Sequence, residues 1–407
     1  MISKINNPEV KQFIQDHLTS DPAELVLSEA KYPSLPIKEI AIQIASRQKA
    51  KSKLPKWYSN DNIIFPPKEN LEQASSELTA KFKSRWVSGN SMADLTGGTG
   101  IDLFFMSNNF KSCVYVEPDS DLAEIAKFNF GLFEKNINVF ESSAEDYINS
   151  CTQKFDLIYL DPSRRDIKKN RVFSLIDYQP NVFKIYDHLL RLGKEMIVKT
   201  SPMIDIKSTL ELLPHTFKVQ VLAVDNEVKE VLFYINKSKK EEPIIEAWNI
   251  SKTKNESSFR FSYEEEKAAH TQISPPLTYL YEPNSAIRKA GAFNLIGNRF
   301  RLKKLHANTH LYTSNEIVDD FPGRVFEVRE LIRPNKRGIK KAFPTGKVNV
   351  ISKNYPIGAN EIKKKYKLTD GGDEFLIFCE EQHQKISLKC ILIQRERLIP
   401  EQKKPIV

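Results

Sequence analysis

Two short islands constrain this chain more than any other stretch. Residues 94–100 read Asp94-Leu95-Thr96-Gly97-Gly98-Thr99-Gly100, and some sixty residues later the chain reads Asp161-Pro162-Ser163-Arg164-Arg165. Each follows an apolar run with the character of a buried parallel strand. A glycine turn after one strand and an Asp-Pro turn after a later one predict a single crevice at the strand ends of an open α/β sheet.

The rest of this segment supports that sheet. Candidate strands cover 92–96, 113–117, 137–141, 155–160 and 194–199, with helices over 120–133 and 179–191. Such alternation predicts a parallel, doubly wound, Rossmann-like sheet. Two further strand patterns, Phe217–Val224 and Glu230–Asn236, flank Asp225-Asn226-Glu227-Val228-Lys229 and predict a terminal antiparallel hairpin. The sheet segment is assigned to residues 71–240. Upstream, residues 1–70 read as a helical domain and connector. Val10, Phe13, Ile14 and Leu18 keep helical spacing, Asp21-Pro22 marks a helix start, and Pro33 and Pro36 interrupt. Leu71, Ala74, Leu78 and Phe82 predict a helix over 71–87. Downstream, 241–282 reads as a charge-rich linker or extension and 283–345 as a small basic module. Residues 346–407 read as a compact α+β module, with strands near 348–352, 374–379 and 387–394 and a basic helix at Asn360–Tyr366.

In the glycine turn, Gly97, Gly98 and Gly100 let the backbone bend and approach a ligand with no Cβ in the way. Asp94 and Thr96 supply oxygens beside them. Glu117 ends the next strand, 17 residues past Gly100, where a carboxylate can accept both ribose hydroxyls of a nucleoside. Ser142-Ser143-Ala144-Glu145-Asp146 follows the third strand and has a helix N-cap pattern. It also resembles the methyltransferase loop whose acidic residue and neighbouring backbone contact adenine, a resemblance that would give this role to Glu145 and Ala144. A dinucleotide would also suit the first two features. Asp161-Pro162 separates the alternatives, because proline stiffens the bend and aims Asp161 at a substrate nitrogen. The spacing of these turns and the closing hairpin resemble a class I S-adenosylmethionine (SAM)-dependent methyltransferase, in which the first turn holds the cofactor and the Asp-Pro turn faces the methyl group. Asp161, Pro162, Ser163 and Arg164 form the expected catalytic bend. No aromatic residue follows the proline, unlike the Asp/Asn-Pro-Pro-aromatic motif of methyltransferases that modify exocyclic amines. Arg165 and Lys168, with Lys169 and Arg171, add phosphate-binding side chains beside it. Lys199-Thr200-Ser201-Pro202 faces the same crevice by topology, with a weaker claim to a role.

Charge points to the partner. The chain carries +9, and residues 286–347 hold 14 Lys/Arg against 5 Asp/Glu, so the rest is neutral in sum. A local basic excess predicts a polyanion-binding face, with Arg288 and Lys289 among its contacts. No run nears the ~20 apolar residues of a membrane span. The start, Met1-Ile2-Ser3-Lys4-Ile5, lacks a secretory apolar core. Cys113, Cys151, Cys379 and Cys390 form no CxxC pair, which predicts neither zinc nor a disulfide framework and favours a reducing cytoplasm. No metal is expected.

Several motifs together resemble one family, the THUMP-like-domain methyltransferases found mainly in Bacteroidetes-type bacteria. They are Gln73-Ala74-Ser75-Ser76-Glu77-Leu78-Thr79-Ala80, the 94–100 turn, Asp161-Pro162-Ser163-Arg164-Arg165, Tyr281-Glu282-Pro283-Asn284-Ser285-Ala286-Ile287-Arg288-Lys289-Ala290-Gly291, Lys353-Asn354-Tyr355-Pro356, and Lys363 to Glu374. The resemblance implies a SAM-dependent methyltransferase domain, a ferredoxin-like module and a THUMP-like terminal module. THUMP domains bind RNA, so the expected substrate is transfer or ribosomal RNA. Two rivals stay open, an RNA-binding or assembly factor with a relict SAM pocket and a methyltransferase acting on protein or a small molecule. A third, a nicotinamide-dependent enzyme, is disfavoured by Asp161-Pro162 and the expected terminal hairpin. Oligomeric state is not legible in the sequence.

Overall fold

The computed structural model describes residues 1–164, 178–253, 256–382 and 384–393. They fall into two compact units, Met1–Gln220 with Lys229–Glu242, and Val221–Val228 with Pro243–Val407. Arg165, Lys168, Lys169 and Arg171 lie outside the described residues.

The first unit is built on a twisted sheet. Strands β1 (Gly89–Asp94), β2 (Phe110–Glu117), β3 (Ile137–Glu141), β4 (Phe155–Leu160) and β5 (Gly193–Thr200) are parallel and ordered β3-β2-β1-β4-β5. Then β6 (Thr216–Val224) and β7 (Glu227–Ile235) form a hairpin, with β7 antiparallel to β5 and β6 outside it. The α/β fold and the antiparallel hairpin are as the sequence predicts, but the hairpin does not end the sheet: the segment read as a linker or extension adds the strands Ile244–Ile250 and Ser257–Phe261 beyond β6. One local difference lies in the hairpin turn. Asp225 and Asn226 both take left-handed φ, +48° and +66°. That is the backbone of a two-residue type I′ turn, which Asp and Asn tolerate. Strand β7 thus starts at Glu227 rather than after a five-residue connector.

Helices α1 (Pro8–Asp16), α2 (Pro22–Leu27) and α3 (Ile37–Lys53) precede the sheet. Pro22 opens α2, and Asp21 Oδ1 accepts the Ala23 amide at 2.8 Å. The helix expected over 71–87 is interrupted. One helix ends at Gln73, and α4 (Glu77–Ser84) starts afresh with Ser76 Oγ accepting the Thr79 amide at 3.2 Å. Helices α5 (Ile101–Met106), α6 (Ser120–Leu132) and α7 (Ala144–Ser150) make the crossovers β1–β2, β2–β3 and β3–β4, and α8 (Val182–Leu192) leads into β5. The N-terminal helices bury Val10, Ile14, Leu25, Ile37, Ile40 and Ile44 together with Ile64 and with Ile125 of α6. Trp57, buried in the core, packs edge-on against Phe104 at 5.3 Å.

In the second unit, β8 (Ile244–Ile250) pairs antiparallel with β9 (Ser257–Phe261). The Asp225 amide of the hairpin tip donates to Ile250 O at 3.0 Å. A second sheet contains β10 (Tyr279–Pro283), β11 (Lys303–His306), β12 (Thr309–Ser314), β13 (Gly323–Ile332), β14 (Asn349–Lys353), β15 (Glu374–Glu381) and β16 (Gln384–Leu392). Its order is β11-β12-β10-β13-β16-β15-β14. All pairs are antiparallel except β14–β15, which is joined by a helical crossover. Helix α9 (Ser285–Ala290) follows β10, α10 (Lys336–Ala342) follows β13, and α11 (Ala359–Tyr366) is that crossover. Among the described residues no helix is long and apolar enough to cross a membrane.

Candidate active site

Strand order reverses around β1, because the chain runs β1-β2-β3 to one side and then crosses to β4 on the other. Ligands bind at such a switch point, beyond the carboxyl ends of the strands. Both islands lie there. The Leu95 amide donates to Tyr159 O at 3.1 Å, and the Asp161 amide donates to Thr96 Oγ1 at 2.6 Å. Thr96 in turn donates its amide and hydroxyl to Asp94 Oδ1, at 3.0 and 3.3 Å. Asp94, Thr96 and Asp161 thus form one hydrogen-bonded chain across two neighbouring strands.

The glycines divide by role. A Cβ on Gly97 would fall 2.2 Å from the buried Tyr115 ring, and one on Gly100, 2.6 Å from Phe130. Those two glycines let the turn sit against the core. Gly98, at φ +52°, has only Thr96 O at 3.8 Å within reach of its absent Cβ, so its open side faces free space. Its amide donates to Glu117 Oε2 at 2.8 Å, and Glu117 Oε1 accepts the Asp119 amide at 3.1 Å. The Ser142 amide donates to Glu117 O, which brings the loop after β3 beside the loop after β2. There Ser143 Oγ caps α7 by accepting the Asp146 amide at 3.0 Å. Ala144 and Glu145 open that helix, so the capping reading of this loop is realised, and Ala144 is buried.

Asp94 is 2 % exposed, and burial is the main reason its carboxyl is pushed up to about 8. Thr96's donors oppose that shift, and the charges of Asp102 and Asp161 add to it. A carboxyl left neutral by burial in this way suits a site that later receives a cation. Together with the open side of Gly98, it fits the amino group and the methionine end of SAM.

Beyond Asp161 lies a charged cluster of which the sequence reading places only Lys199 at the crevice. Lys199 Nζ lies 2.5 Å from Asp161 Oδ2 and 3.1 Å from Asp102 Oδ2. Lys83 Nζ lies 3.0 Å from Asp102 Oδ1 and 2.7 Å from Glu230 Oε1. Ser75 Oγ donates to Asp102 and accepts from both ammonium groups, and Tyr159 donates to Asp102 at 2.7 Å. Burial disfavours the Lys199 charge, but Asp102 and Asp161 outweigh it and raise its pKa well above the ordinary value. Asp102 is likewise held below its usual range by Lys199 and Lys83 against the effect of burial. Two cations face three carboxylates. The side chains of Asp102 and Glu230 are 9 % and 6 % exposed, whereas that of Asp161 is 36 % exposed. The anion that reaches solvent is therefore Asp161.

Pro162 is buried and Ser163 exposed. Ser163 and Arg164 pair antiparallel with Gln179 and Tyr178, which anchors the bend to the segment entering α8. Arg288 and Lys289 lie in the second unit on α9, where Arg288 is tied to a carboxylate. Lys199 and Asp102 had a faint signal, each a lone charge inside an apolar run. Lys83, Glu230 and Ser75 had none beyond the 73–80 motif.

Residues 279–322 match the model of a ferredoxin-like domain family, and 323–392 match a THUMP domain-like family. The chain is similar over nearly its whole length to a solved structure of a candidate methyltransferase from Porphyromonas gingivalis W83. Identity is 29 %, coverage 95 % of this chain and 98 % of that one, and the TM-score 0.86. Weaker likenesses include a candidate methyltransferase from Streptococcus mutans in complex with SAH, at 14 % identity, 39 % of this chain, 96 % of that one and TM-score 0.30. Another is M. capricolum TrmK in complex with SAH, at 12 % identity, 44 % of this chain, 71 % of that one and TM-score 0.31. No curated protein matches the sequence.

Proposed function

We propose that the chain, which belongs with the THUMP-like-domain methyltransferases, transfers a methyl group from SAM to RNA. The observation that carries this reading is the Asp161 amide bonded to Thr96 Oγ1, which fixes the acceptor-side bend against the cofactor-side turn. The likeness to the P. gingivalis protein supports the reaction class. The THUMP-like match and the basic stretch support RNA, of the transfer or ribosomal kind.

When bound, SAM supplies an electrophilic methyl on a sulfonium. Asp94 and Thr96 would hold its amino acid end, with Gly97, Gly98 and Gly100 keeping the turn bare. Glu117 has lone pairs left for the ribose hydroxyls, and Ala144 and Glu145 flank the adenine. The bend of Asp161, Pro162, Ser163 and Arg164 orients the acceptor. Asp161 accepts a hydrogen bond from the nucleophile while Lys199 holds the carboxylate still. Much of the rate then comes from alignment of acceptor and methyl. Arg165 and Lys168, outside the described residues, are the expected backbone contacts in the first unit, and Arg288 and Lys289 are expected RNA contacts of the second unit.

Calorimetric titration of the purified protein with SAM is the first test; no binding at millimolar cofactor rejects the proposal. Mass spectrometry of nucleosides from cells with and without the gene is the second. Loss of one methylated nucleoside names the product, and an unchanged profile rejects RNA as the substrate.

A further inference from the structure

The second unit contains a cationic knot built from two motifs to which the methyl-transfer reading gives no role beyond naming Arg288 and Lys289 as RNA contacts. Glu282, at the end of β10, is 2 % exposed. Its Oε1 meets Arg288 Nη1 at 3.0 Å and Lys353 Nζ at 2.8 Å, and its Oε2 accepts Arg324 Nε at 2.8 Å and a second Arg324 nitrogen. These four contacts use the carboxylate's acceptor capacity. Among the described residues it is the one carboxylate that ion-pairs with any of the three cations. Three positive charges therefore share one negative charge. Their side chains keep 26 %, 37 % and 23 % exposure for Arg288, Arg324 and Lys353.

The surplus has further marks. Arg288 Nε and Ser285 Oγ are buried and lack a hydrogen-bond partner among the described residues. His310 Nδ1 is buried and equally unpartnered, and the His310 pKa is pushed down to about 4, first by burial and then by Lys304, Arg288 and Lys353. Burial also lowers the pKa of Lys353, with Arg288 and Arg324 adding to that and Glu282 opposing it. Partly buried cations without enough anions are costly, and buried donors without acceptors add to the cost. A tetrahedral group bearing several charged oxygens answers both, because guanidinium groups bind it bidentately.

We infer that Arg288, Arg324 and Lys353, held together by Glu282, form a binding site for a phosphate group, and that the phosphate belongs to an RNA strand. The first half stands on the knot alone. The second rests on the RNA reading above and on the basic stretch 286–347, into which Arg288 and Arg324 fall.

The test pairs two measurements on the full chain, using wild type, R324Q, K353M and E282Q. In the first, melting temperature is followed in inorganic phosphate and in chloride at matched ionic strength. Wild type should gain stability from phosphate beyond that in chloride, and R324Q and K353M should lose the gain. In the second, anisotropy of labelled transfer RNA is titrated across a salt series. R324Q and K353M should each weaken binding about tenfold and flatten the log–log salt slope by about 0.9. E282Q, provided its near-ultraviolet circular dichroism stays native, should bind RNA more tightly than wild type, because the knot gains charge. A purely structural ion cluster predicts no such gain. Folded R324Q and K353M with wild-type RNA affinity and slope, and no phosphate-specific stabilisation of wild type, overturn the site. Phosphate stabilisation that R324Q abolishes, in a wild-type protein that binds no RNA, supports the phosphate site and overturns the RNA source.

Discussion

At residue scale, the glycine turn separates fold from function. Gly98→Ala places its methyl on the open side of the turn, at a φ of +52° that costs about 1–2 kcal/mol for a residue with Cβ. Gly97→Ala drives its methyl into Tyr115, whose hydroxyl donates to Gly98 O at 2.5 Å and so pins the ring. Such overpacking costs about 1–3 kcal/mol and shifts the turn itself. G98A should therefore lower the urea midpoint by no more than its backbone strain yet lose SAM binding by calorimetry, while G97A, which pushes the turn off the Tyr115 ring, should lower the midpoint further and also lose SAM binding. SAM binding to G98A at wild-type affinity would place the cofactor elsewhere. Asp94 gives a second prediction. Its folded pKa of about 8 lies above the unfolded value of 3.8. The folded, cofactor-free protein thus holds a proton that the unfolded chain has lost, and stability from this group falls as pH rises from about 4 to about 8. Asp94→Asn removes that decline. The urea midpoint of D94N minus that of wild type should grow across this window and level off above it. Below pH 8, SAM binding to wild type should also release a proton, seen as a buffer-dependent heat, because the cofactor's amino group favours the ionised carboxylate. D94N should show no such release.

At element scale, the charged cluster ties helix α4 to helix α5 and strand β7. Lys83 Nζ bonds both Glu230 oxygens, at 2.7 and 2.8 Å, across 147 residues of sequence. Lys83→Met leaves Glu230 buried without its cation and should destabilise the protein by about 3–5 kcal/mol, read as a lower urea midpoint. The double variant K83M/E230L removes both charges and should recover a large part of that loss. Equal destabilisation of single and double variants would mean that packing, not charge, holds these elements. The cluster also explains what the sequence withheld. Asp94, Glu117 and Asp161 were legible because each ends an apolar run before a turn, and parallel topology places strand ends together. The sequence pattern starts the second hairpin strand at Glu230 rather than Glu227 and runs one helix through Ser76, where the structure restarts it, since a type I′ turn and a helix restart depend on single dihedrals. Lys83 looks like an ordinary basic residue in a last helical turn. Ser75 looks like a cap, a task its neighbour Ser76 performs instead. Their roles come from partners supplied by four different elements, which no local pattern encodes.

At the scale of the whole molecule, the basic excess is concentrated in one stretch of the second unit. Helix α10 sits inside that stretch and carries Lys336, Arg337, Lys340 and Lys341, all exposed, while Ile339 alone is buried. Among the described residues none of the four cations ion-pairs with a carboxylate. Free surface cations of this kind contribute to RNA binding through counterion release, which gives a slope rather than a single affinity. The quadruple variant K336Q/R337Q/K340Q/K341Q should fold with a wild-type urea midpoint, because surface changes away from buried features stay within about 0.5 kcal/mol. Its SAM affinity should match wild type, since every proposed cofactor contact lies in the first unit. Its RNA affinity should fall at low salt, and its log–log slope should flatten by about 0.9 for each removed side chain that touched a phosphate. The comparison with R324Q then sorts the contacts. A helix that merely raises the local potential changes association rate at low salt and leaves dissociation alone, whereas the buried Glu282 knot, which seats a phosphate, should change dissociation. Stopped-flow traces that show dissociation altered by the helix variant and untouched by R324Q would reverse that assignment and make α10 the seat of the specific contact.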